Sequence, residues 1–461
     1  MAPMINDTPH NPRPTKAPQL YPDADQKQLN EDASLHLAHY GTVFHPDIIT
    51  GAKDLYVYTA DGHRVLDWTS GQMSCLIGHG HPEIVSTISS HASSLDHLFS
   101  GMLSPPVINL AKRLTSLLPA TLSKAFFLST GGESNEAAIK MAKVYTGKFE
   151  IVGLGGSWHG VTAQALGTQY FAGRKGQGPL MPGMHMLPAP NSYRSIFRNK
   201  DGSYDWETEL NYGWDLIDRA SCGSLAACIV EPIQSSAGMH VLPPGYLSAL
   251  KTHCQNRGML LIVDEAQTGI GRAGSMFAST DHDKVTPDIL TLSKTLGNGL
   301  PLSAVITSAE VDRVCTERDY CFYTTHVNDP LPTAVGLKVL DIVLRDDLVA
   351  NSRKMGQLLL SGLHALQGRY GCIGDVRGRG LMAGIEIVTD RATKAPAKEL
   401  GWRLGRRMFE LGLWANLSTQ LSFGGVFRIA PPIVITEEEV RVGLGIMEEA
   451  FRTTEETMPL Y

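Results

Sequence analysis

Four short, uninterrupted apolar runs constrain this chain more than any other feature: Ala125-Phe126-Phe127-Leu128, Ala226-Ala227-Cys228-Ile229-Val230, Met259-Leu260-Leu261-Ile262-Val263 and Ile289-Leu290-Thr291-Leu292. None alternates apolar with polar residues, so none suits a strand with one face in water. Continuous runs of this length suit parallel strands buried on both faces, with helices as crossovers. The first is followed by a glycine pair and then the helical pattern Glu133-Ser134-Asn135-Glu136-Ala137-Ala138-Ile139-Lys140-Met141-Ala142. At 461 residues the chain is too long for one hydrophobic core. The expectation is an α/β layer structure for residues 81–330 and a smaller α+β domain for 331–461. In the second part, helices are expected from about Leu331 to Asp341, around 349–368 and near 397–411, with strand-like segments between them. Six prolines fall within the first 22 residues, which predicts a mobile tail over 1–30. Residues 31–80 are expected to pack with the small domain.

Composition narrows the function. A formal net charge of −6 leaves no basic footprint for nucleic acid. No apolar run approaches the length of a membrane span, and the N-terminus lacks a basic stretch leading into an apolar one. Seven scattered cysteines, an odd number with no C-x-x-C spacing, predict reduced thiols and a cytoplasmic setting.

Four segments bear on chemistry. Ser129-Thr130-Gly131-Gly132-Glu133-Ser134-Asn135 lies between a strand and a helix, where glycines and a helix N-terminus form an anion cradle. An ordinary capped turn has the same composition and is the commoner case. Asp264 follows an apolar run, at the strand end where α/β sheets bind ligands, and suits a cationic ring nitrogen or a helix cap. Lys294, in Leu292-Ser293-Lys294-Thr295-Leu296-Gly297-Asn298-Gly299, follows another run. Burial there would favour the neutral amine of Schiff-base chemistry, whereas a lone lysine in a glycine loop is usually solvated. In Trp158-His159-Gly160, the indole or the imidazole can stack on a flat ring, or the tryptophan is simply core. The pair His79-x-His81 sits among Gly and Pro and reads as a turn rather than a metal site. No nucleotide-binding glycine fingerprint is in place. Each segment is weak alone. In order, however, they offer a phosphate site, a stacking ring, a pyridinium partner and a Schiff-base lysine.

These residues resemble the class III aminotransferases, which are fold type I pyridoxal 5′-phosphate (PLP) enzymes. Thr291-Leu292-Ser293-Lys294, Asp264-Glu265-Ala266-Gln267-Thr268-Gly269 and Trp158-His159-Gly160 carry the match. Over about residues 31–452 the chain is similar in particular to the 2,2-dialkylglycine decarboxylases. The distinctive stretches are Thr69-Ser70-Gly71-Gln72-Met73-Ser74, the segment from Leu95 to Ser104, Tyr323-Thr324-Thr325-His326-Val327, and the segment from Gly425 to Pro432. The resemblance implies a large domain built on a mostly parallel seven-stranded sheet.

The same resemblance implies roles. Thr130, Gly131 and Gly132 would bind the phosphate, with Thr325 reaching in from a neighbouring subunit. Trp158 would stack on the ring, Asp264 would hold its nitrogen and Gln267 its oxygen, and Glu231 and Asn135 would support the site. Lys294 would anchor the cofactor and move protons. Arg428 would bind the retained carboxylate in a bidentate fork, and Gln72 and Ser236 would orient the carboxylate to be lost. A neutral amide suits that second task, because tight ground-state binding of a leaving group opposes its departure. The family pattern also implies a structural K+ or Na+ at Leu98, Ser100, Thr325, Val327 and Asp329. A second cation site is in doubt, since Leu118 replaces a hydroxyl side chain.

The implied reaction is decarboxylation-dependent transamination of a 2,2-dialkylglycine, with the amino group passing to a 2-oxo acid. The alternatives are an ω-amino acid aminotransferase without decarboxylation, decarboxylation of an unusual α,α-disubstituted amino acid, and a non-catalytic PLP-binding protein. Val161, Trp414 and the segment Ser418 to Phe423 depart from the pattern and bear on the substrate's identity. The small-molecule partners would be an amino acid and a 2-oxo acid. The assembly would be a homo-oligomer, with a dimer as the smallest unit and a tetramer plausible.

Overall fold

A computed structural model describes residues 21, 23–41, 44–170, 178–179, 181–418 and 425–456. Most of the Pro-rich stretch and the segment 419–423 lie outside these residues. A central sheet of seven strands comprises β1 (Lys124–Leu128), β2 (Glu150–Leu154), β3 (Met184–Leu187), β4 (Leu225–Val230), β5 (Leu260–Asp264), β6 (Ile289–Leu292) and β7 (Ser303–Thr307). Their order is β1-β7-β6-β5-β4-β2-β3. The β3–β2, β2–β4, β4–β5 and β5–β6 pairs are parallel, and β7 runs antiparallel to both β6 and β1. Every residue of β4, β5 and β6 is buried, as their apolar runs require. The exception at β7 has a simple cause. Only residues 293–302 separate it from β6, too few for the crossover that a parallel partner needs. Lys294 lies in that short link.

The helix Gly131–Thr146 starts directly after β1. Thr130 and Glu133 form a reciprocal capping box at its N-terminus, and Gly147 closes it in the left-handed conformation. The helices anticipated in the C-terminal part run Pro330–Arg345, Leu348–Arg369 and Lys398–Glu410, and Glu437–Glu456 follows. They accompany a second sheet in the order Ile373–Gly378, Ala383–Asp390, Gly425–Ile429, Asn416–Ser418, in which neighbouring strands are antiparallel. A third sheet joins distant parts of the chain. The antiparallel strands Ile49–Lys53, Tyr56–Thr59 and Arg64–Asp67 are completed by Leu413–Trp414, which pairs in parallel with Arg64–Asp67.

One element differs from the sequence expectation. A helix, Gln26–His36, begins inside the stretch assigned to a tail. The Asp25 carboxylate caps it by accepting hydrogen bonds from the Lys27 and Gln28 backbone N–H groups at 2.9 and 3.1 Å. The cap was present in the sequence but was overshadowed by the prolines before it.

Within the C-terminal part, a helix meets a loop at a backbone contact that tolerates no side chain. A Cβ on Gly356, within the helix Leu348–Arg369, would fall 2.2 Å from the Gly380 carbonyl oxygen. Nearby, the Ser352 hydroxyl donates to the Arg272 carbonyl at 3.0 Å. Gly356→Ala should therefore destabilise the protein by about 1–3 kcal/mol, because the helix has to move off the loop. A thermal melt followed by circular dichroism checks this; an unchanged Tm would contradict the contact.

Candidate active site

The C-terminal ends of β4, β5 and β6 open onto a cavity of ≈ 320 Å³, lined by Thr130, Gly131, Gly132, Asn135, Trp158, Glu231, Asp264, Gln267 and Lys294 among others. Cofactor-sized sites in α/β sheets lie at this edge. The fold thus gathers nine of the sequence-nominated residues from five separate segments.

Asp264 ends β5 and is 4% exposed. Its Oδ1 accepts from the Ala266 N–H at 3.0 Å. Its Oδ2 accepts from Asn135 Nδ2 at 2.7 Å and lies 2.9 Å from His159 Nδ1. Burial pushes this carboxyl upward, but the His159 hydrogen bond and charge, the Ala266 N–H and the nearby Lys294 outweigh it, so the group stays below the usual carboxylate range. It is a fixed anion inside the cavity. The imidazole of His159 is therefore a carboxylate partner, and of the two rings Trp158 is the stacking candidate. Asn135 bridges the cluster: it also donates to the His159 carbonyl at 2.8 Å and accepts from Thr291 Oγ1 at 2.7 Å.

Lys294 opens a short 3₁₀ turn, Lys294–Leu296, with φ +29°, a left-handed conformation that costs a non-glycine residue energy. Burial lowers its pKa against the raising effect of Asp264 and Glu231, and Arg428 lowers it further. Glu231, also buried, accepts from the Trp158 N–H at 2.9 Å. Burial pushes its carboxyl up to about 7; His159 opposes this, and Asp264 adds to it.

At the other end, the glycines permit close backbone approach. A Cβ on Gly160 would come within 2.7 Å of Gly132 Cα, and one on Gly131 within 3.3 Å of Ser293 Cβ. This cradle sits at the N-terminus of Gly131–Thr146 and suits a phosphate. Gln267 is buried, and its Oε1 has no hydrogen-bond partner among the described residues. An orphaned amide oxygen, a fixed anion, an anion cradle and a lysine of lowered pKa in one cavity match the polar groups of PLP.

Arg428 lies on the strand Gly425–Ile429. Its described hydrogen bonds run from Nε and an NH2 group to Asn416 Oδ1, at 3.3 and 3.0 Å. Burial lowers its pKa to about 10, against the pull of Glu231. Among the described residues no carboxylate pairs with this guanidinium, which leaves it open to an anionic ligand.

The other nominated residues stand outside this lining. Gln72 is exposed, within the kinked segment Ser70–Met73. Ser236 is half-buried, and Thr325 is exposed in the turn after Tyr323. Of the cation set, Leu98, Ser100 and Val327 are half-buried and Asp329 is buried. His97 Nδ1 and His326 Nδ1 lie 2.6 and 2.5 Å from the two Asp329 oxygens. These imidazoles, like Asn416 and Thr291, escaped the sequence reading. For Thr291 there was a cue: a lone hydroxyl inside an apolar run. Of the remaining features, His79 pairs with Asp67 at a turn, and all seven cysteines are free.

The family "Aminotransferase class-III" matches residues 38–451. The chain is 50% identical to an "Uncharacterized aminotransferase C1039.07c" of Schizosaccharomyces pombe, over 92% of this chain and 94% of that protein. It is 34% identical to the mitochondrial alanine–glyoxylate aminotransferase 2 homolog 2 of Arabidopsis thaliana, over 92% and 87% respectively. It is 31% identical to an alanine/serine racemase of Pyrococcus horikoshii, over 87% and 84%. Among solved structures, an (S)-enantioselective ω-transaminase from Thermomicrobium roseum superposes with a TM-score of 0.85 at 30% identity, over 93% of this chain and 98% of that one.

Because the folded Glu231 carboxyl titrates near 7 while an unfolded one titrates near 4.3, the folded state holds more protons between these values. Stability from this group is therefore lost as pH rises through that window. Glu231→Gln should flatten the fall in Tm of the cofactor-free protein between pH 4.5 and 7, an effect of at most about 3 kcal/mol. Parallel wild-type and variant melts would refute it.

Proposed function

Because the chain belongs to the class-III aminotransferase family, we propose that it couples decarboxylation of a 2,2-dialkylglycine, such as 2-aminoisobutyrate, to amino transfer onto a 2-oxo acid such as pyruvate. PLP, the cofactor expected of this family, supplies the electron sink when bound. One observation carries the decarboxylative reading. Beside the cavity stands the guanidinium of Arg428, and among the described lining residues Lys294 is the only lysine or arginine. In this reading the carboxylate not held by Arg428 is met by the neutral side chains of Gln72 and Ser236, Gln72 standing two residues before the lining residue Ser74.

Each side chain has a task in this reading. Thr130, Gly131 and Gly132 seat the phosphate. Asp264, kept anionic, holds a proton on the ring nitrogen, and His159 and Asn135 keep that carboxylate in place. Gln267 meets the ring oxygen and Trp158 covers one ring face. Arg428 clamps the retained carboxylate, while Gln72 and Ser236 orient the one that departs without strongly stabilising it. Once CO2 has departed, protonated Lys294 would move its proton onto the cofactor rather than onto the substrate carbon, so that the substrate leaves as a ketone and its amino group stays with the cofactor. Thr325 reaches the phosphate of a neighbouring subunit, which makes a dimer the smallest active unit and leaves a tetramer possible by further pairing. A K+ or Na+ at Leu98, Ser100, Thr325, Val327 and Asp329 would order that turn, in competition with the two imidazoles on Asp329. The mixed fold supports a division into residues 81–330 and 331–461, with 31–80 joined to the second part through the Leu413–Trp414 pairing.

A second reading, transamination without decarboxylation, is favoured by the names of the related proteins. The same lysine and carboxylate clamp serve it. A third reading, an unusual disubstituted donor, rests on Val161, a departure from the family pattern next to the lining residue Gly160.

Incubation with 2-aminoisobutyrate and pyruvate should yield CO2, acetone and alanine together. Alanine formation from other amines with no CO2 from any disubstituted donor would leave plain transamination. Lys294→Ala should abolish the absorbance of the lysine-bound cofactor and cut turnover at least about 100-fold; retained turnover would point to a non-catalytic role for the lysine. Arg428→Ala should raise KM for carboxylate-bearing donors about 10-fold or more, as a charge-assisted hydrogen bond is lost, and initial-rate kinetics check this.

A further inference from the structure

The loop that presents Gln72 is held in a conformation that its own sequence does not favour. Ser70 and Met73 adopt φ +50° and +61°, left-handed values rare for residues with side chains, and Gly71 between them has φ +63° and ψ −116°. Such a turn persists only where its surroundings impose it. The imposing group is Asp67, 2% exposed at the end of the strand Arg64–Asp67. Its Oδ1 accepts from the Thr69 N–H at 2.8 Å and from the Thr69 hydroxyl at 2.5 Å. Its Oδ2 accepts from the Gly71 N–H at 2.6 Å and lies 3.0 Å from His79 Nε2. Four contacts on one carboxylate thus gather the backbone on the N-terminal side of Gln72.

The same segment is tied to the strand that bears Arg428. The Ser70 hydroxyl donates to the Ala430 carbonyl at 2.6 Å and accepts from the buried Arg272 guanidinium at 3.1 Å. The Ala430 N–H donates to the Trp68 carbonyl at 2.7 Å. Arg428 and Ala430 stand two residues apart at the end of Gly425–Ile429, so the offset between Gln72 and Arg428 is set by hydrogen bonds of residues 67–70.

We propose that Asp67 is a positioning residue that, through the Ser70–Met73 turn, sets the place of Gln72 relative to Arg428 and so the orientation of the substrate between them. The inference rests on the reading that Gln72 meets substrate. It does not depend on whether the bond broken is to CO2 or to a proton. Asp67 itself is not among the residues that line the cavity. In Asp67→Asn one carboxylate oxygen becomes an NH2 group, which faces N–H donors on either side, and the turn is released.

The experiment is a double-mutant cycle on the full-length holoenzyme, run with whichever amino donor the wild type turns over fastest. Asp67→Asn should lower kcat by up to about 100-fold, the scale of a 1 Å misplacement, with the lysine-bound cofactor absorbance and KM for the 2-oxo acid retained. In the Gln72→Ala background the same change should cost less than about twofold, the limit expected of an effect relayed through the missing side chain. Ser70→Ala, which keeps the carboxylate and removes the tie to Ala430, should show the same non-additivity and serves if Asp67→Asn fails to fold. Fully additive losses, loss of cofactor binding in step with kcat, or a Gln72→Ala enzyme as active as the wild type would each overturn the proposal. CO2 measured on the wild type reports separately on the decarboxylative reading, so its failure is distinguishable from failure of this one.

Discussion

The site depends on one buried carboxylate. Asp264 stands at the end of a strand whose five residues are all buried, and it keeps its charge because Asn135, His159 and the Ala266 N–H surround it and Lys294 lies nearby. An isolated carboxylate in such a place would give up its charge. Its partners come from the helix after β1, from the loop after β2 and from the turn after β5 itself. The relative placement of these three segments is thus tied to one charge. Thr291 on β6 extends the network through Asn135, so the strand that leads to Lys294 shares the constraint.

A second constraint is the shortness of the β6–β7 link. It forces β7 to run antiparallel within an otherwise parallel set, and it draws Lys294 into a tight turn against the cavity rather than onto a solvated loop. Burial then lowers the lysine's pKa while Asp264 and Glu231 resist. Opposed effects of this kind separate the titrations of neighbouring groups and assign acid and base roles. Arg428 adds a fixed positive charge from another sheet, and the hydrogen-bonded segment 67–70 relates that sheet to the Gln72 turn.

Much of this was legible in the residues. The apolar runs foretold β1, β4, β5 and β6; burial on both faces explains the unbroken signature of the last three, whereas β1 is an edge strand with Ala125 and Phe126 half-buried and an antiparallel neighbour. The strands β2, β3 and β7 escaped the reading: each contains a polar residue, β3 is an edge strand with Met186 exposed, and nothing local announces that β2 and β7 are covered by their neighbours. Lys294, Asp264 and Thr130 could be nominated from their positions after strands. The partner of each could not, because His159 and Asp264 are 105 positions apart and no spacing rule joins them. The imidazoles on Asp329 were missed for the same reason, and the helix Gln26–His36 because proline content outweighed a capping aspartate.

By itself, the sequence determined the class of the fold, the strands buried on both faces and the inventory of chemical groups, since these follow from local pattern and residue type. Only the tertiary structure decided which groups meet and in what ionisation state. It made His159 a carboxylate partner rather than a stacking ring, left Arg428 without a carboxylate among the described residues, and gave Asp67 the task of holding the Gln72 turn. Hydrogen bonds and desolvation act over a few ångströms of space, whatever the separation along the chain.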